Sequence, residues 1–239
     1  MNIGTRSQAK ELLKKGLVCV DGQVVKKADT QVDESRVIIT CKGKEYTYRP
    51  FVYYMLNKPA GVITATKDDN DITVMDLFKQ AYQKTHDGDL SGVPFQDIFP
   101  VGRLDKDTVG LLLLTNDGEL SHNLLSPKKH VDKMYLVHLN GPLTREAAER
   151  LEQGVTIGEG EVTAPAVVES DLADDCRCCI TITEGKFHQV KRMFQAVGLT
   201  VVYLKRLSMG SLILDGNLPE GEIRELTGEE IAGLLKGYK

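Results

Sequence analysis

The sequence predicts an α+β protein in two parts, a small basic α/β module followed by a larger acidic body. Three observations lead there. Strand-like stretches at 51–66, 110–115, 133–139, 176–183 and 201–206 alternate with helical periodicity over 74–84 and 190–197. Charge is divided unevenly: residues 1–50 hold ten Lys or Arg against six acids, a surplus of four, which leaves −8 for the rest of a chain whose total is −4. The 239 residues, 41% hydrophobic and 27% charged, suffice for one large or two small packed domains.

Several classes are set aside at once. The longest apolar run, around residues 109–114, is far short of the ~20 residues of a membrane span. Residues 1–6 show no apolar leader, so a cytoplasmic protein without a membrane partner is expected. Five clustered cysteines (Cys19, Cys41, Cys176, Cys178, Cys179) make no disulfide framework. Cys176-x-Cys178-Cys179 has no second ligand pair and reads as part of a strand, so no metal is expected.

In the module, Ser7 is placed to cap a helix that runs to about Lys15 and ends at Gly16. Ala9, Leu12 and Leu13 form its inner stripe. Arg6, Lys10 and Lys14 recur at four-residue spacing and face outward. Asp21-Gly22, between alternating apolar residues, signals a hairpin, and residues 36–40 supply a further strand. A basic helix face alone is commonly just solvated. Followed at once by a hairpin with Lys26 and Lys27, it points to phosphate contact. The residues Gly4-Thr5-Arg6-Ser7-Gln8-Ala9-Lys10, Gly16-Leu17-Val18 and Val20-Asp21-Gly22-Gln23-Val24-Val25 resemble the S-four-like RNA-binding domain. That resemblance implies one more short helix ahead of Gly4. Met1 stands almost at that turn, so the first helix is expected to be missing. The module is assigned to 1–45, a linker to the polar stretch 46–51 around Pro50, and the body to 52–239.

In the body, residues 51–57 read as a buried strand ending at the turn Lys58-Pro59-Ala60-Gly61, and 62–66 as its continuation. Residues 68–71 read as a loop, 74–84 as a helix and 85–95 as a surface loop. The hydrophilic turn Arg103-Leu104-Asp105-Lys106-Asp107-Thr108 abuts a short leucine run that reads as a buried strand. From spacing alone, Asp105 and Asp107 fit an acid–base pair, a metal site or turn chemistry. Val190, Met193, Phe194 and Val197 recur at helical spacing, with His188, Lys191, Arg192 and Gln195 opposite and Gly198 as the C-terminal cap. Cations in a first turn oppose the helix dipole. Residues 186–206 carry five Lys or Arg and no acid, which suits an RNA track or a counter-charge for a carboxylate. Tyr135 alternates with Lys133 and Val137 on one strand face, where it either packs in the core or stacks on a base.

Four blocks in order, Asn57-Lys58-Pro59-x-Gly61, Gly102-Arg103-Leu104-Asp105-x-Asp107-Thr108-x-Gly110-Leu111-Leu112, Lys133-x-Tyr135 and Glu184-Gly185-Lys186-x-His188-Gln189-Val190-Lys191-Arg192-Met193, resemble the RsuA-type ribosomal RNA pseudouridine synthases (the RsuA/RluB/RluE/RluF family). The resemblance implies a catalytic domain built on a mixed, mainly antiparallel sheet with flanking helices. It implies an isomerase that flips a uridine out of ribosomal RNA, breaks C1′–N1 and rejoins through C5, without a cofactor. Asp105 would be the catalytic carboxylate, Tyr135 would stack on the base, and Lys191 would pair with Asp105. Arg6, Lys10, Lys14, Lys58, Arg103, His188, Gln189 and Arg192 would contact RNA. The segment 58–61 would also form a structural turn near the cleft, and Asp107 and Thr108 would stabilise theirs. The expected partner is ribosomal RNA or a subunit assembly intermediate, bound by a monomer. The target is 16S RNA, since little sequence follows the core beyond Leu226, with 23S RNA as the alternative. Two other readings compete. A non-catalytic assembly factor would not need Asp105, Tyr135 and Lys191 together. A retaining glycosidase would need two facing carboxyls ~5 Å apart, which neighbouring turn residues seldom provide.

Overall fold

Thr5, not Ser7, caps the first helix, α1 (Arg6–Lys14). Its hydroxyl accepts from the Gln8 N–H while the Gln8 side chain accepts from the Thr5 N–H, a reciprocal capping box. Ser7 falls inside the first turn because Thr5 is the residue with extended backbone. The computed structural model describes residues 3–33, 36–89, 93–158 and 160–236. They divide into two compact units, Met1–Val52 with Tyr82–Ile98, and Tyr53–Ala81 with Phe99–Lys239.

In the first unit, Asp21 and Gly22 take φ of 47° and 79° and turn β1 (Val18–Val20) back as β2 (Gln23–Val24), the geometry an Asp-Gly hairpin requires. β3 (Ile38–Cys41) and β4 (Lys44–Thr47) complete a sheet ordered β2-β1-β3-β4. Tyr46 and Thr47, assigned by polarity to the linker, belong to β4. An edge strand needs only one ladder of partners and tolerates polar side chains. Arg6, Lys10 and Lys14 all stand exposed on α1. Lys44 pairs with Asp89. Of the expected loop 85–95, residues 90–92 lie outside the described residues.

The second unit begins with β5 (Tyr53–Lys58) and α2 (Val74–Thr85), which straddles the division between units. There follow β6 (Phe99–Pro100), β7 (Val109–Thr115), α3 (Gly118–Leu125), a short 3-10 turn, β8 (Lys133–Leu139) and α4 (Arg145–Gln153). A small pair, β9 (Thr156–Ile157) and β10 (Glu161–Val162), precedes β11 (Val167–Ser170), β12 (Arg177–Ile182) and α5 (Gln189–Ala196). β13 (Val201–Met209), β14 (Leu212–Ile213), β15 (Ile223–Glu225) and α6 (Gly228–Lys236) close the chain. The main sheet runs β11-β12-β8-β13-β7-β5-β15, with β14 on β13 and β6 on β7. Only β13 and β7 pair in parallel; the other ladders are antiparallel.

β7 lies near the middle of this order and is buried along its whole length. This is why its sequence is a leucine run rather than an alternation. Gly110 takes φ of 99°, and a Cβ there would stand 2.4 Å from the Arg206 carbonyl oxygen, so glycine allows β7 and β13 to approach. On β12, Cys178, Ile180 and Ile182 are buried, and burial pushes the Cys178 thiol up to about 12. The strand expected over 62–66 does not form. Ile63 makes one bridge to Thr73, because the Thr64 side chain is engaged by the backbone of Leu104.

Candidate active site

The site is built around the turn between β6 and β7. The Thr108 N–H donates to the Asp105 carbonyl at 3.1 Å and closes the turn. Lys58, at the end of β5, holds it from beneath. Its side chain is 0% exposed, and its ammonium donates to the carbonyls of Thr108 (2.8 Å), Asp105 (3.0 Å) and Pro59 (3.1 Å). The Lys106 carbonyl stands a little farther off at 3.4 Å, so four carbonyls of the two turns surround the three donors of the ammonium. Burial pushes Lys58 down to about 8, although Asp107 and Asp105 pull the other way. Lys58 is therefore a clamp on the Asp105 turn. The expected RNA contact is corrected, because no part of the side chain reaches the surface. The Gly61 N–H to Lys106 carbonyl bond (2.8 Å) and the Thr64 hydroxyl to Leu104 carbonyl bond (2.7 Å) fix the same turn from the 58–64 side.

α5 brings the cations. Val190, Met193 and Phe194 are buried as the periodicity predicts, which leaves Lys191 facing the turn. Its ammonium lies 3.0 Å from Asp105 Oδ2 and 2.6 Å from Asp107 Oδ1. Burial opposes the charge on Lys191, but the two carboxylates outweigh it and lift the lysine above its ordinary value. The same bond holds Asp107 below the usual carboxylate range. His188 stands at the helix start in the left-handed region (φ 48°), with Nε2 3.4 Å from Asp105 Oδ1. Asp107, expected only to stabilise its turn, is thus half of a carboxylate pair across one lysine.

Asp105, Arg103, Tyr135 and His188 all line one cleft of about 790 Å³, within the roughly 300–1,000 Å³ of small-molecule sites. Tyr135 is 8% exposed on the cleft face of β8, and its hydroxyl makes no hydrogen bond among the described residues. Arg103 is exposed at the cleft.

Two residues expected on RNA are engaged elsewhere. Gln189 is 4% exposed; it donates to Glu184 Oε1 at 2.7 Å and accepts from the Lys186 N–H at 2.8 Å, so it shapes the loop that carries His188. Arg192 donates to the carbonyls of Phe187 and Ile157 and pairs with Glu161 at 3.1 Å. Of the two readings of the basic stretch 186–206, an RNA track or a counter-charge for a carboxylate, Lys191 beside Asp105 fits the second, and a track is interrupted, since Arg206 is buried and Lys186 pairs with Glu184 at 3.0 Å. Lys133 and Arg206 line the cleft instead; the sequence marked Arg206 only as one cation of the basic stretch 186–206, not as a residue of the cleft. Asp174, Asp175 and Cys176 bring three possible ligand atoms within 4.8 Å of one another, but none lines the cleft.

Residues 52–196 match the model of the family described as RNA pseudouridylate synthase. The chain belongs to that family. Residues 1–38 match the S4 domain. An RNA pseudouridine synthase of Bacillus subtilis is 48% identical over 95% of this chain and 92% of its own length. A ribosomal small subunit pseudouridine synthase A of Haemophilus influenzae is 39% identical over 98% and 96%, and a ribosomal large subunit pseudouridine synthase B of B. subtilis is 39% identical over 97% and 91%. A crystal structure of a pseudouridylate synthase, 38% identical, superposes with a TM-score of 0.68 over 96% of this chain and 94% of that one. The chain is accordingly an RNA pseudouridine synthase of the RsuA type, with a mixed α+β catalytic fold behind an S4 domain. No helix among the described residues is long and apolar enough to cross a membrane.

Proposed function

We propose that this pseudouridine synthase converts one uridine of small-subunit ribosomal RNA, with Asp105 as the catalytic carboxylate. The observation that carries the reading is the cleft in which Asp105, held between His188 and Lys191, shares a wall with Tyr135. A uridine in its stack cannot reach such a cleft, so the target is flipped out. Tyr135 stacks on its base and assists loss of the C5 proton. Asp105 acts on the ribose, as nucleophile at C1′ or as base, while N1–C1′ breaks and C5–C1′ forms. N1 gains a proton and C5 loses one, so no redox cofactor is needed. The module of residues 1–45, with Arg6, Lys10 and Lys14 exposed on α1, holds flanking RNA through phosphates. Arg103 holds RNA at the cleft. The body from residue 52 does the chemistry as a monomer in the cytoplasm, on RNA or an assembling subunit.

Relatives named for the small and the large subunit are equally similar at 39% identity, so the target is decided by experiment. Purified 16S and 23S RNA, naked and as protein-bound particles, are treated with the enzyme, and pseudouridine is mapped by carbodiimide-blocked primer extension. One new stop in 16S RNA is expected. A stop in 23S RNA alone moves the target to the large subunit. No stop in either, with RNA binding intact, replaces the reading with a non-catalytic assembly factor.

A further inference from the structure

Arg206 stands out among the cations of the catalytic unit. It is 2% exposed, it lines the Asp105 cleft, and its Nη2 is fully buried without a partner. The only hydrogen bond its guanidinium makes among the described residues runs from Nε to the Leu111 carbonyl at 2.8 Å. Lys133, on the neighbouring strand, is also buried and lines the same cleft. Its ammonium donates to the Val131 carbonyl at 2.8 Å. Arg206 stands opposite Tyr135 in the β13–β8 ladder, and Lys133, two residues before Tyr135, shares its face of β8. Neither cation forms an ion pair with a carboxylate among the described residues. Burial and the Arg206 charge both hold Lys133 below the ordinary lysine value. A buried cation with unused donors is costly unless something arrives to accept from it.

We propose that Arg206, with Lys133 beside it, holds the carbonyl edge of the flipped uracil and takes the negative charge the ring acquires as N1–C1′ breaks. This rests on the isomerase reading above. The electron pair of the N1–C1′ bond leaves with the uracil and spreads over N1, O2 and O4, while C1′ is met by Asp105. Donors fixed where charge develops stabilise the transition state more than the ground state. C5 then bonds to C1′ as Asp105 is released from the ribose unchanged, the C5 proton is lost, and N1 is protonated.

The test uses the full chain and 16S and 23S transcripts made with uridine or with 5-fluorouridine, whose ring is the better anion. N1–C1′ cleavage is read on both transcripts as loss of the uridine or 5-fluorouridine nucleoside after nuclease digestion and chromatography, because the fluorinated ring has no C5 proton to lose and ends as a C5-linked fluorinated product. RNA affinity is read by filter binding. If the wild type converts uridine in neither transcript, naked or assembled into a protein-bound particle, the isomerase reading itself fails. Given wild-type conversion, Arg206→Gln is expected to lower the saturated rate at least about 100-fold with Kd unchanged within about threefold. The defect shrinks at least about tenfold on the 5-fluorouridine transcript. An equal defect on both rings overturns the proposal. So does a loss confined to Kd with a shallower salt dependence, which would assign the site to a phosphate. Should Arg206→Gln not fold, the same pattern is required of Arg206→Lys and Lys133→Gln, and its absence there overturns the proposal equally.

Discussion

Replacing Lys191 by Met removes the cation shared by Asp105 and Asp107 at 3.0 and 2.6 Å while keeping most of the side-chain volume. The Asp107 side chain is 74% exposed, so its bond contributes little. The bond to Asp105 carries the effect, because that carboxylate is 28% exposed and, among the described residues, keeps only His188 as a charged partner. A hydrogen bond to a charged group is worth about 1.5–3 kcal/mol. If 2–3 kcal/mol of it is realised in the transition state, the rate falls roughly 30- to 150-fold. The stability cost of a half-exposed pair is about 1 kcal/mol, a shift of about 2–4 °C in Tm for a domain this size. The assay is single-turnover tritium release from RNA labelled at uridine C5, with Tm measured on the same samples. Lys191→Arg keeps the charge and is expected to recover most of the rate. A fall under threefold for Lys191→Met, or a loss matched by unfolding, would refute the reasoning.

Three further outcomes are expected. Lys58→Met leaves the carbonyls of Pro59, Asp105, Lys106 and Thr108 without their shared donor, at up to about 1–3 kcal/mol for each one left unsatisfied, before relief of the buried charge. Its Tm is expected to fall by at least about 5 °C, and its tritium-release rate to fall more than that of Lys191→Met. Replacing Arg6, Lys10 and Lys14 together by Gln is expected to weaken RNA binding and to reduce the slope of log K against log salt by about 2, with saturated turnover unchanged. Filter binding across a salt series checks this. Glu230 is held down to about 2 by Arg224, 2.7 Å away, against burial and with help from the Thr227 N–H. A carboxyl with a depressed folded pKa contributes stability above its unfolded value of about 4.5, and that contribution is lost as pH falls toward 2. Urea unfolding of the wild type and Arg224→Met is therefore expected to differ at pH 7 and to converge near pH 2.

Much of this molecule is legible where one local rule acts alone. Asp21-Gly22 fixes its hairpin by positive φ, and the leucine run reads as a two-sided buried strand. α5 follows from the spacing of Val190, Met193 and Phe194. Legibility ends where a distant element decides. Residues 62–66 have strand propensity, but Thr64 is taken by Leu104, forty residues on. Lys58 looks like a surface cation until the carbonyls of the Asp105 turn surround it. Arg192 and Arg206 look alike in a basic stretch, yet one ties α5 to Ile157 and Glu161 and the other is buried beside Tyr135. Asp105 and Lys191 were readable as a pair only through the family blocks. Asp107 was not, because two acids in one turn have too many uses.

The proposed chemistry stands on Asp105. The direct measurement is single-turnover tritium release by Asp105→Asn, with RNA binding and Tm measured alongside. Asn keeps the size and removes the charge. Release below detection is expected, with Kd within about threefold of the wild type and the fold intact. Release at even a tenth of the wild-type rate would place the chemistry on another residue.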